Sequence, residues 1–230
     1  MNVISLSFLA FVVGLLAVSY LVPRRLQEVV LLGGSWAFCS TFGWPCLAIL
    51  LVCTLANYLL PIMFHEGRRN PRNVPILWLG IGLNVTLLSF VRLMRASENG
   101  PLILTSSIGV SFYTLSSIAY LVDVYQGNVQ RITEPLRFAL FIGWFPHLVA
   151  GPIERVQGFL PQLKSHRVVD DTQICISLQQ IGTGLVRKVV LGNALFSMIP
   201  ADLWARPSQH PALHLLVFPF VFAVAVYNDF

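Results

Sequence analysis

From Val29 to Phe64 the chain carries no charged side chain. As one straight helix this run would reach about 54 Å, well past the roughly 30 Å hydrocarbon core of a bilayer. A soluble fold has no place for so much continuous apolar chain, so the run belongs in lipid and has to turn inside it. Gly33-Gly34, Gly43 and Pro45 offer places to break. The expected form is a hairpin of two helices, the first of them short.

Its neighbours agree. Val3 to Val22 is uncharged and long enough to cross. Pro23-Arg24-Arg25 follows it, whereas a signal peptide carries its positive charge in front. Further apolar runs are Val74 to Val91, Leu102 to Val122, Phe138 to Ile153, Ile174 to Pro200 and Leu213 to Phe230. Charged residues are only 11% of the chain and hydrophobic ones 56%, against about 25% charged in ordinary soluble domains. The runs are continuous rather than alternating, which favours helices over a membrane barrel. The expected fold class is all-α: a polytopic transmembrane helix bundle of about 6–8 membrane segments, some re-entrant or broken. Residues 1–230 are taken as a single membrane domain.

The net charge of +5 does not point to nucleic acid, because the basic residues sit in loops between apolar runs. Arg24-Arg25 and the loop from His65 to Arg72 fall on one side if the intervening run is a hairpin, and the positive-inside rule makes that side cytoplasmic. Counting every later run as a full crossing puts Arg155, Lys164 and Arg167 on the other side. The run around 102–122 or the one around 138–153 is therefore expected to be re-entrant or buried in protein.

Cys39, Cys46 and Cys53 recur at every seventh position and Cys175 stands apart. In apolar surroundings they read first as small hydrophobes, ahead of metal or disulfide roles. No metal site is expected. Gly182-Thr183-Gly184 lacks the rest of any phosphate-loop pattern and reads as close helix packing.

Two segments carry polar groups where lipid penalises them. Tyr113, Ser116, Tyr120 and Asp123 share one helical face, either bonding to neighbouring helices or lining a cavity. Phe145-Pro146-His147, with Gly151-Pro152 and Glu154-Arg155 after it, is the densest unusual stretch. Its prolines and glycine argue against a regular helix, and broken backbone at membrane depth often borders a site. The plainer reading is a kinked loop with a bonded histidine and an interfacial ion pair.

Several motifs resemble one family. Ile108-Gly109-Val110-Ser111-Phe112-Tyr113-Thr114, continuing to Tyr120-Leu121-Val122-Asp123-Val124-Tyr125, resembles the "G-I-S-F-Y-T…Y-L-I-D-V-Y" signature of membrane-bound O-acyltransferases. The branch is the one with alginate O-acetylation proteins and teichoic acid D-alanyl transferases. Phe145 to Ile153 is similar to its "F-P-q-L-v-A-G-P-I", and Phe159-Leu160-Pro161-Gln162-Leu163 to its "F-L-P-Q-L". Gly184 to Val190, followed by Asn193-Ala194-Leu195, is similar to its "G-l-f-K-K-v-v-i-a-d-n-L", and Tyr227-Asn228-Asp229-Phe230 to the start of its "Y-x-D-F-x-G-Y".

The resemblance implies transfer of an acyl group from a thioester donor, acyl-CoA or an acyl carrier protein, to a hydroxyl of a polysaccharide, lipid or other acceptor. It implies no bound cofactor, a bacterial cytoplasmic membrane, and an acyl carrier or cell-envelope acyl-transfer protein as partner. It also implies a tunnel through the membrane body, with a histidine as general base in a later "W-x-x-W-H"-like segment. Nothing in residues 1–230 matches that segment, so the chain is expected to be the N-terminal portion of the fold, truncated before the family histidine and inactive alone. No catalytic residue is assigned. The candidate substrate-binding residues are His147, Glu154, Arg155, Tyr113, Ser116, Tyr120, Asp123, Asn228 and Asp229. The competing reading, from another class, is a transporter or channel-like subunit built on the polar face around Tyr120 and Asp123.

Overall fold

The computed structural model describes residues 5–65, 67, 69–96, 109–151, 154–164 and 170–229. Their regular structure is helical throughout. They pack as two compact units, Met1–Ser165 and His166–Phe230. Among the described residues, four helical stretches are long and apolar enough to cross a bilayer: Trp44–Met63, Pro71–Met94, Asp171–Met198 and Ala212–Asp229.

The first unit opens with α1 (Leu6–Leu21), capped by the Ser5 hydroxyl accepting the Phe8 N–H at 3.2 Å. The next helix, α2, runs Arg24–Ser40. It is not the short arm expected, for two reasons. Pro23 presets the backbone for a helix start, so Arg24 and Arg25 join the first turn while their charged ends stay exposed. Gly33-Gly34 does not break it either. Gly34 faces Leu15 of α1, whose Cδ1 any added Cβ would strike. The glycine is there for close packing, as small residues often are between membrane helices. The break falls at Gly43, whose φ of 112° suits only glycine. Pro45 then sits in the first turn of α3 (Trp44–Leu59), prolonged by a 3₁₀ turn over Leu60–Met63.

The next span, α4 (Val74–Ala96), runs past Val91, so Arg92 does not end it; its guanidinium donates to Ser111 Oγ at 3.0 Å. Helices α3 and α4 are joined by a buried pair. Asn84 Nδ2 donates to Asn57 Oδ1 at 2.8 Å, and Asn57 Nδ2 returns the bond at 3.2 Å. Each amide also donates to a carbonyl of its own helix, Asn57 to that of Cys53 and Asn84 to that of Gly80. Both residues are fully buried, so all this polarity is satisfied inside protein.

Helix α5 is Val110–Gln126; the expected start at Leu102 lies outside the described residues. Gly109 opens it at φ 75°, and an added Cβ there would come within 2.6 Å of the Leu148 carbonyl oxygen. After α5 come three short helices: α6 (Pro135–Gly143), α7 (Phe145–Ala150) and α8 (Val156–Lys164). Pro146 does not abolish helix as expected, and Pro152 lies outside the described residues. Pro146 falls in the first turn of α7, where the missing N–H costs nothing.

Several contacts fix which end of the unit each element reaches. Arg69 N–H donates to the Tyr125 carbonyl, so α5 ends beside the 65–73 loop. Tyr58, near the end of α3, donates through its hydroxyl to the Thr133 carbonyl at 2.8 Å. Arg137 pairs with Glu28 at the start of α2. Gln157 Nε2 donates to the Asn128 carbonyl, and Leu163 borders the same cavity as Arg24 and Arg25. Residues 127–164 thus leave from and return to one end: they form a re-entrant hairpin. This is the run around 138–153, and it brings Gln157 and Leu163 to the end that carries Arg24 and Arg25. Arg167, part of the conflict with the positive-inside pattern, lies outside the described residues.

In the second unit α9 (Asp171–Val186) is capped by Asp170, whose side chain accepts the Thr172 N–H. A π-helical turn (Arg187–Gly192) leads into α10 (Asn193–Met198), and α11 is Ala212–Asp229. Gly182-Thr183-Gly184 lies within α9 and forms no loop.

Candidate functional site

The re-entrant hairpin is held at three levels. At its entry, Arg137 forms a two-pronged bond with Glu28, at 3.0 and 3.2 Å, and a further one with Glu134 at 2.6 Å. The bond to Glu28 is the strongest influence on Arg137 and raises its pKa above the ordinary value. Partial burial acts the other way, and Glu134 adds to the rise. Higher up, the chain breaks at Trp144 between α6 and α7. The Phe145 N–H freed there donates to Ser35 Oγ at 3.3 Å, and Ser35 in turn donates to the Leu31 carbonyl. A broken helix at membrane depth survives only with such a partner. Around it the rings of Phe8, Phe11 and Phe38 close on Phe145 at 5.4–6.4 Å.

At the turn of the hairpin, His147 Nε2 lies 3.6 Å from Glu154 Oε2. Gly151 makes this fold-back fit: a Cβ there would come within 2.6 Å of the His147 Cα. The imidazole rests against Phe159 at 6.0 Å between ring centres. Neither α6 nor α7 is long enough to cross a bilayer, at about 1.5 Å per residue. An imidazole beside a carboxylate is a group that can accept or relay a proton.

Helix α8 closes the hairpin as an amphipathic lid. Val156, Phe159, Leu160 and Leu163 face the core at helical spacing, while Gln157, Gln162 and the adjacent Arg155 are exposed. Beside Leu163, a cavity of about 580 Å³ is bordered by Arg24, Arg25, Glu28 and Arg137. A second, of about 710 Å³, lies among the loops at the same end, between His65, Asn73, Gln130 and Arg131.

The polar face of α5 is buried in protein: Tyr113, Ser116, Tyr120 and Asp123 are each under a tenth exposed. The Tyr120 hydroxyl accepts the Ile132 N–H at 3.0 Å, and its ring packs on Phe138 at 5.1 Å. Asp123 accepts from Asn128 Nδ2 at 3.4 Å. Two of these four thus hold the strand of chain that feeds the hairpin. His147 and Glu154 are brought together, with Arg155 exposed next to them. Asn228 and Asp229 belong to the second unit, where Asp229 Oδ1 accepts from Lys188 Nζ at 2.8 Å and Asn228 bonds to its own helix at the Val224 carbonyl. Among the described residues no three side chains group as metal ligands.

Sequence reasoning passed over Ser35, the Glu28–Arg137 pair, and Asn57 with Asn84. Only the two asparagines left a signal, as amides inside long uncharged spans.

No family model matches the chain, and no solved structure does. Named relatives do. A probable alginate O-acetylase of Pseudomonas fluorescens is 31% identical over 200 residues, covering 84% of this chain and 38% of the relative. A peptidoglycan O-acetyltransferase of Helicobacter pylori is 29% identical over 185 residues, 64% of this chain and 35% of that one. A teichoic acid D-alanyltransferase of Lacticaseibacillus rhamnosus is 22% identical over 180 residues, with shares of 74% and 42%. The chain spans about two-fifths of the length of the alginate O-acetylases it matches. With the motifs, the helical membrane fold and these relatives in agreement, the chain belongs to the membrane-bound O-acyltransferase family.

Proposed function

We propose that the protein this chain represents is an O-acyltransferase of the cell envelope, seated in the bacterial cytoplasmic membrane with its basic end inward. It moves an acyl group from a thioester donor, acyl-CoA or an acyl carrier protein, to a hydroxyl of an envelope polysaccharide or related polymer. The observation that carries the reading is the similarity to alginate O-acetylases along 84% of the chain. In the reaction a general base takes the acceptor proton, the oxygen attacks the thioester carbonyl, and the thiolate leaves. By family resemblance the base is a histidine in a segment that residues 1–230 do not match.

The part of this chain is to wall the path. The hairpin from Pro135 to Lys164 brings His147 and Glu154 into an otherwise apolar body, and lipid would penalise both there. Arg155, exposed beside them, suits an anionic donor or headgroup.

The test is acyl transfer by membranes that hold the complete protein. A labelled acetyl thioester and the host envelope polysaccharide should yield alkali-labile label. His147→Gln should keep some of that activity. His147→Trp should lower it sharply while expression and melting stay near wild type. A fully active tryptophan variant excludes residue 147 from the path, and absence of label from every envelope polymer rejects the acyltransferase reading.

A further inference from the structure

The turn between α2 and α3 carries two of the three cysteines that recur at every seventh position. Cys39 is in the last turn of α2 and Cys46 in the first turn of α3, with Gly43 reversing the chain between them. Their sulfurs lie 3.3 Å apart, and both side chains are buried. A disulfide needs about 2.05 Å between sulfurs, so closure takes little more than small side-chain rotations. Cys53, the third of the series, is directed elsewhere: its thiol lies beside Asn57 and Asn84. The turn is also at the end of the unit opposite to Arg24, Arg25 and Arg72.

We propose that Cys39 and Cys46 form a disulfide that staples the α2–α3 turn on the outer side of the membrane. The inference rests on the basic end being cytoplasmic, because outer-side thiols meet an oxidising compartment and inner ones do not. The oxidant is the disulfide of a thiol–disulfide oxidoreductase. One chain thiolate attacks that disulfide, forming a mixed disulfide and releasing one oxidant thiolate. The second chain thiolate then displaces the other oxidant sulfur. Two electrons and two protons pass from the chain thiols to the oxidant, which leaves as a dithiol. Both chain sulfurs are buried once folded, so the exchange occurs during insertion, before α1 and α6 cover α2. The staple would fix α2, which holds the hairpin through Glu28 and Ser35, against α3.

The bond is read by thiol counting. Cells expressing the full chain are acid-quenched, denatured and alkylated with a maleimide polymer that adds one mass step per thiol. The wild type should show two steps without reductant, from Cys53 and Cys175, and four with it. Cys39→Ser and Cys46→Ser should each show three steps with or without reductant. Denaturation makes the readout independent of whether a variant folds. Four steps without reductant in the wild type overturn the disulfide, as does a two-step pattern that survives either serine substitution. An impermeant label on Thr41→Cys in a cysteine-free background reads the orientation separately. A reduced pair on an outward turn refutes the geometry; a reduced pair on an inward turn refutes the orientation beneath it.

Discussion

The Asn57–Asn84 pair gives a residue-scale prediction. Asn84→Ala leaves the Asn57 amide short of its partner in a dry interior and should cost about 1–2 kcal/mol, roughly 2–8 °C in Tm. Replacing both by leucine should recover part of that loss, since no polar group is then stranded. Additive losses in the double variant would mean the two amides do not act as a pair.

At the scale of elements the hairpin decides the topology. A probe on its outer helix should behave like one in the 65–73 loop. In a cysteine-free background, Asn70→Cys and Gln162→Cys should react with an impermeant maleimide only after cells are opened, and Thr41→Cys should react in intact cells. Reaction of Gln162→Cys together with Thr41→Cys would make the 138–153 run a full crossing. The sequence carried much of this layout. Uncharged runs, a choice of break points at Gly33-Gly34, Gly43 and Pro45, and the count of basic loops were enough to expect that one of two late segments re-enters or is buried in protein. What they could not supply was depth. Composition does not say that Gly34 is a contact point for Leu15 while Gly43 is a turn. Nor does spacing reveal that a serine inside α2 takes up the backbone N–H freed more than a hundred residues later. The α5 polar face was legible as a face because helical period is local. Its partners were not, because Ile132 and Asn128 reach it only through the loop that the fold bends back.

At the scale of the whole molecule, the proposed function gives this chain the part of a scaffold and a wall. It spans about two-fifths of the length of the alginate O-acetylases it matches. In the second unit α9 buries none of its residues and exposes Gln179, Gln180 and Thr183 on an apolar helix. Amides directed into lipid are costly, so that face meets water or other protein in the membrane. A general base is typically worth 10²–10⁴-fold in rate, and by family resemblance it lies in a segment unmatched here. Residues 1–230, reconstituted alone with a labelled acyl thioester and polysaccharide, should therefore give label no higher than protein-free membranes. Supplying the histidine-bearing segment, fused or as a separate polypeptide, should restore transfer. Turnover by residues 1–230 alone would move the base into this chain. His147 would then be the first group to replace, because it is the imidazole that the hairpin brings beside a carboxylate at the turn of the re-entrant chain.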